Sequence, residues 1–277
     1  MKKFYEVSIP LSGEVAEFIL ARLSGLGFLG FIEEDERVVA YLEKDRLDAG
    51  SLHVLLSENN ISGAKISEIE DRNWNAEWES DYEPVIIDGK IMVRAPFHDP
   101  VPDIEWDIII EPKMSFGTAH HETTSQMLSL IARMDLAGKS VLDMGCGTAV
   151  LAILASKMGA THIFAVDNDE WAYRNALENT ILNNTEDIEV FLGDRGSLEN
   201  RHFDIIIANI NRNILLQDIP YYAAALKPGG TLMMSGFYLD DLEQINNKGV
   251  SCRLRLADSR SKNKWTAAVF IKDQAND

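Results

Sequence analysis

SVLDMGCGTAV, residues 140–150, is the stretch whose reading decides the fold. A short apolar run reaches Asp143, a Gly-x-Gly turn follows at Gly145 and Gly147, and a helical apolar pattern begins with Val150, Leu151, Ile153 and Leu154. Strand, tight turn and helix N-terminus in that order let a backbone approach a ligand closely. Glycine carries no Cβ there, and the first helical N–H groups lack intrahelical partners. A Gly-x-Gly pair also marks ordinary tight turns, so its neighbours have to decide.

Downstream, apolar runs at 140–142, 163–166, 188–192, 205–208, 231–234 and 267–271 alternate with helical segments such as 170–179. This predicts an α/β, doubly wound, mostly parallel sheet with helices on both faces and a ligand beyond the carboxyl ends of the strands. The turn Lys227-Pro228-Gly229-Gly230 leads into the fifth strand. Asp167, at the end of the second strand, stands where a carboxylate accepts hydrogen bonds from ribose hydroxyls, with Asp169 a candidate helix N-cap. Val150 occupies the position where a dinucleotide fold needs a third small residue, and Asp143 would repel a pyrophosphate. Both favour S-adenosylmethionine, with its positive amino group and sulfonium, over NAD.

Upstream, Tyr5, Val7 and Ile9 alternate as a strand. Ser12 can cap a helix carrying Val15, Phe18, Ile19, Leu23 and Leu26, and strands at 28–32 and 38–42, a helix at 47–58 and a strand at 65–69 follow. The order β-α-β-β-α-β predicts a ferredoxin-like α+β domain over 1–69. A polar linker helix at 70–84 bears Trp74 and Trp78 one turn apart. Residues 85–277 form the second domain, opening on a hairpin around Asp88-Gly89 and a further strand at 107–110.

The chain has 277 residues, 46% of them hydrophobic, which suits a sizeable core. Two cysteines, Cys146 and Cys252, fit a reducing compartment, and no apolar stretch reads as a signal peptide or a membrane span. A cytoplasmic protein is expected. The net charge of −18 disfavours nucleic acid and favours a basic partner. His120-His121-Glu122 lacks metal-ligand spacing, so no metal is expected, and Cys146 reads as a small turn residue rather than a nucleophile.

VLDMGCG at 141–147 resembles the first motif of class I S-adenosylmethionine-dependent methyltransferases, with Asp167 in the second motif position. EPKMSFGTAHHETTSQ at 111–126 and IIANIN at 206–211 are similar to segments of the ribosomal protein L-eleven methyltransferases (the PrmA family). That resemblance extends over the tryptophan-bearing linker and the small N-terminal domain. It implies a Rossmann-like class I methyltransferase domain, cofactor binding by Thr124, Gly145, Asp167 and Asn209, and Asn209 as the catalytic residue orienting the amine. It also implies a basic protein substrate, ribosomal protein L-eleven, methylated on lysine ε-amino and N-terminal α-amino groups and held by the N-terminal domain. Ala119 and Ala149 replace family glycines, and Asn211-Arg212 follows the Asn-Ile. The alternatives are a methyltransferase of another protein or small amine, or an inactive cofactor-binding adaptor.

Overall fold

Strand alternation on both faces of one sheet builds most of the structure. In this computed structural model the described residues are 4–10, 19, 23, 26, 28, 30–34, 37–43, 48–59, 61–69, 82–113, 115–198 and 201–274. They fall in two units, Met1–Tyr82 and Glu83–Asp277.

The first unit contains β1 (Phe4–Pro10), β2 (Gly30–Glu34), β3 (Arg37–Glu43), α1 (Ala49–Glu58) and β4 (Lys65–Ile69). Its sheet is antiparallel throughout, in the order β2-β3-β1-β4. That is the ferredoxin-like strand arrangement. Val7 and Ile9 on β1, Val38, Ala40 and Leu42 on β3, and Leu52, Leu55 and Leu56 on α1 share one core, as the two periodicities require. Asp48 caps α1, accepting from Gly50 and Ser51 N–H. The helix expected after Ser12 and the linker helix over 70–84 fall mostly outside the described residues.

The second unit opens with a small sheet of β5 (Val85–Ile87), β6 (Ile91–Arg94) and β7 (Trp106–Ile109). Asp88 and Gly89 both have positive φ, the conformation a two-residue hairpin turn demands. Buried Arg94 and half-buried Asp107 join β6 to β7 through two parallel 2.8 Å hydrogen bonds. Next come α2 (Glu122–Ile131), β8 (Ser140–Met144), α3 (Val150–Lys157), β9 (Thr161–Asp167), α4 (Glu170–Leu182) and β10 (Ile188–Leu192). The chain finishes with β11 (Phe203–Asn209), α5 (Arg212–Ala225), β12 (Leu226–Tyr238), α6 (Leu242–Ser251), β13 (Leu254–Lys262) and β14 (Trp265–Lys272).

The seven-stranded sheet runs β10-β9-β8-β11-β12-β14-β13, parallel except for β14, which is antiparallel to both neighbours. This is the Rossmann-like, mostly parallel sheet expected from the sequence. Val141, Ile163, Ile205 and Ile207 face a core shared with α2, α3 and α4. Leu142, Val166, Ile206 and Ala208 face the other core, with α5 and α6. Burial on both faces explains why these strands are apolar nearly throughout.

Two local readings need correction. Lys227–Gly230 is a bulge inside β12, because Phe203 pairs with Leu226 and Ile205 already pairs with Thr231. The strand β13 was not anticipated. It forms an edge, where only one side chain in two meets the core.

Candidate active site

Cleft and glycine turn meet at the carboxyl ends of β8, β9 and β11. After Met144 the backbone passes through positive φ at Gly145, Gly147 and Ala149, and α3 then begins. A Cβ on Gly145 would lie 2.3 Å from Cγ2 of Ile210, and one on Gly147 would lie 2.2 Å from the Phe116 carbonyl oxygen. Both glycines are thus demanded by the protein's own packing. Gly145 and Cys146 N–H donate to Val166 O at 2.8 and 3.1 Å, and Thr148 N–H donates to Phe116 O at 2.9 Å. The Thr148 hydroxyl adds a 2.7 Å bond to Gly117 O, so segment 116–118 is latched onto the turn.

Asp167 ends β9 beside this turn. Its Oδ2 accepts from Gly147 N–H at 2.8 Å and its Oδ1 from Asp169 N–H at 3.0 Å. Each oxygen keeps lone-pair capacity facing the cleft. Asp169 caps α4, accepting from Trp171 and Ala172 N–H.

Asp143 does not face the cleft as the sequence suggested. It is buried beneath the start of α3, where Oδ2 accepts from Ala152 N–H at 3.2 Å. The partial positive charge of a helix N-terminus draws a carboxylate there. Burial is the main cause that pushes its pKa up to about 7; Ala152 N–H pulls downward and the Asp167 charge adds to the rise.

Asn209 ends β11 and lines the cleft, followed by Ile210. Its Nδ2 donates to the Thr124 hydroxyl at 3.2 Å, joining two residues 85 positions apart. Its Oδ1 is buried and without a hydrogen-bond partner, an arrangement that fits a ligand acceptor site. Thr124 itself is buried on α2 behind the cleft wall, which Thr123 lines.

The cleft has a volume of about 590 Å³. Aromatic rings flank the Asn209 end: His121 lies 5.3 Å from Phe116 and 4.8 Å from Trp265, and Tyr238 lies 4.3 Å from Trp265, centroid to centroid. His121 is the N-cap of α2, its Nδ1 accepting from Thr123 N–H at 3.3 Å. At the other end lie Asn168, Asp169, Trp171 and Ala172. Sequence reasoning missed Phe116, Trp171, Ile210 and Trp265. Of these only Ile210 had a signal, its place directly after Asn209.

Comparison with known proteins bears on this site. A family model described as Ribosomal protein L11 methyltransferase (PrmA) matches residues 5–273. The ribosomal protein L11 methyltransferase of Phocaeicola vulgatus is 42% identical over 278 residues, covering 97% of this chain and 99% of that protein. Its counterpart from Porphyromonas gingivalis is 44% identical over 263 residues, 93% and 91% of the two chains. Among solved structures, the ribosomal protein L11 methylase from Lactobacillus delbrueckii subsp. bulgaricus matches with a TM-score of 0.65 at 26% identity, over 70% of this chain and 100% of that one. A methyltransferase from Pyrococcus furiosus (TM-score 0.52, 18% identity, 60% and 89% covered) shares the fold.

Proposed function

The chain belongs to the ribosomal protein L11 methyltransferase (PrmA) family, and on that premise we propose that it methylates lysine ε-amino and N-terminal α-amino groups of ribosomal protein L11. S-adenosylmethionine, when bound, supplies an electrophilic methyl group on a sulfonium. The observation that carries the reading is the partnerless Oδ1 of Asn209 at the floor of the cleft.

The residues divide the work. Asp167 offers its two remaining lone-pair sites to the two ribose hydroxyls. Gly145 presents bare backbone to the methionine portion. Thr124, buried behind the cleft wall, accepts from Asn209 Nδ2 and so fixes the orientation of that side chain. Asn209 Oδ1 accepts an N–H from the incoming amine and points the nitrogen lone pair along the cleft. Phe116, His121 and Trp265 wall that end with ring faces that hold an alkyl stem and exclude water.

Magnitudes favour this division. A lysine of pKa ~10.4 costs about 4.6 kcal/mol to present neutral at pH 7. Desolvation between aromatic rings lowers that cost, since burial disfavours the charged form. Alignment of nucleophile and methyl supplies roughly 7–11 kcal/mol, so proton loss to water before the amine enters suffices.

The substrate is a basic protein on this reading, suited to a chain of net charge −18. The N-terminal unit acts as its recognition module. Both cysteines are free thiols, in keeping with cytoplasmic residence. Intact-mass measurement of L11 after incubation with protein and S-adenosylmethionine tests the proposal: mass gains in steps of one methyl support it, and an unmodified L11 sinks it. Asn209→Ala should lower kcat about 100-fold. S-adenosylhomocysteine affinity should change less than about ten-fold, the range of one neutral hydrogen bond. A cofactor-binding adaptor would show no turnover in either form.

A further inference from the structure

One face of α2 meets the β13–β14 hairpin through polar side chains at i, i+4 and i+7. Glu122 Oε1 accepts from Asn263 Nδ2 at 2.7 Å, and Gln126 Nε2 donates to the Trp265 main-chain oxygen at 3.2 Å. The Ser129 hydroxyl accepts from Arg260 Nη1 at 3.2 Å. Such spacing puts all three on one side of a helix. Their partners lie on β13, on β14 and in the two-residue turn between them, where Asn263 and Lys264 both have positive φ. Leu239 N–H adds a 2.9 Å bond to Lys264 O. The stripe thus runs along the hairpin to its tip, and the tip carries Trp265.

Gln126 is the unusual member. It is buried, with 6% of its surface exposed, and is not among the residues that line the cleft. Its Nε2 is bonded to Trp265 O, and its Oε1 is buried without a partner. A buried amide satisfied on one side only stabilises a fold less than an apolar side chain of the same length. Packing alone therefore does not call for glutamine here, whereas the bond to the Trp265 backbone does.

We infer that Gln126 is a positioning residue for methyl transfer: it pins the hairpin tip to α2 and so holds the Trp265 ring against the stem of the incoming amine. This rests on the aromatic wall being the amine's channel, as read above. The same helix presents Thr124, whose hydroxyl accepts from Asn209 Nδ2. Two residues apart on a helix, Thr124 and Gln126 point about 200° apart around its axis. One rigid element therefore supports Asn209 on one face and Trp265 on another. The spacing between the amine's acceptor and the ring beside its stem is set by the width of that helix. A hairpin tip left to itself would not hold it.

Gln126→Met keeps the length of the side chain and removes its donor, which makes it the test. Its kcat with L11 should fall about five- to ten-fold, since the lost bond acts on alignment. KM for L11 and affinity for S-adenosylhomocysteine should each stay within about two-fold of the parent. The melting temperature should stay within about 3 °C. In protein labelled with 5-fluorotryptophan, the Trp265 resonance, identified by its loss in Trp265→Phe, should shift or broaden in Gln126→Met. Glu122→Ala, which frees the tip at Asn263, should lower kcat in the same way, and Glu122→Gln, which keeps an accepting oxygen, should restore it. Trp265→Ala is the reference. If it turns over L11 like the parent, the reading of the aromatic wall fails, and the role of Gln126 with it. If Trp265→Ala is slow but Gln126→Met keeps the parent kcat, the role of Gln126 alone is overturned. Loss of S-adenosylhomocysteine affinity and of melting temperature in step with kcat also overturns it, and makes Gln126 a residue of the core.

Discussion

Ala149 stands at φ +63° with no side-chain cap, at a turn position that glycine occupies with least strain. Left-handed backbone costs a non-glycine residue roughly 1–2 kcal/mol. Glycine would return about 0.5–1 kcal/mol of that through its more mobile unfolded chain, and loss of the buried methyl costs about 0.8 kcal/mol. Ala149→Gly should therefore move stability by less than about 1 kcal/mol, whereas Ala149→Val, β-branched at positive φ, should cost at least about 2 kcal/mol. Urea denaturation of both variants decides whether the strain is local.

Asp143 sets a second expectation at the same scale. Its carboxyl is raised by burial from 3.8 to about 7, so between those values the folded chain holds a proton that the unfolded chain releases. Stability from this group accordingly falls as pH rises from about 4 to about 7. Asp143→Asn removes the titration, so the variant should gain on the parent across that window, by a ceiling of roughly 4 kcal/mol. Parallel stability curves for the two proteins would show that Asp143 keeps one protonation state throughout.

At the scale of elements, three asparagines at successive helical turns, Asn175 and Asn179 on α4 and Asn183 at its C-cap, stitch the end of β7 and the segment after it to the helix. Asn183 accepts from Ile109 N–H at 2.9 Å and donates to its C=O at 2.6 Å. Asn179 accepts from Glu111 N–H at 2.9 Å and donates to Thr148 O at 3.0 Å, and Asn175 donates to Glu111 O at 3.3 Å. The ladder replaces a neighbouring strand for chain that has none on that side. Asn183→Ala should cost about 2–4 kcal/mol in chemical denaturation, because it leaves both main-chain groups of Ile109 unpaired.

The same scale explains what the sequence disclosed. Strands β8, β9, β11 and β12 were legible because both of their faces pack against helices and their apolar runs are nearly unbroken, and the edge strand β10 because four of its five residues are apolar. In β13 only Leu254 is buried outright, while Arg255, Asp258 and Lys262 are exposed at the sheet edge, and its hairpin turns at Asn263-Lys264 without a glycine. No apolar pattern survives there to be read. Gly145, Asp167 and Asn209 could be located because each ends or follows a strand of the central sheet. Phe116, Trp171 and Trp265 come from three distant segments, and an aromatic residue in a strand or helix reads as core until packing shows otherwise.

For the whole molecule, the charge of −18 has a kinetic consequence. Long-range attraction for a basic substrate is screened by salt, whereas alignment inside the cleft is not. Raising ionic strength from about 0.05 to about 0.3 M should increase KM for L11 several-fold and leave kcat nearly unchanged. Steady-state kinetics against salt reads both. A salt-independent KM would mean that contacts other than charge recruit the substrate.

The latch between segment 116–118 and the glycine turn links the two walls of the cleft in time as well as in space. Successive amides of one turn answer to different walls: Gly147 N–H is held by the Asp167 carboxylate and Thr148 N–H by the Phe116 carbonyl. Each can exchange its hydrogen with solvent only when its own acceptor lets go. Deuterium uptake at Thr148 thus times the lifting of the Phe116 segment, and uptake at Gly147 times the release of Asp167, so two neighbouring signals record the breathing of both sides of the site.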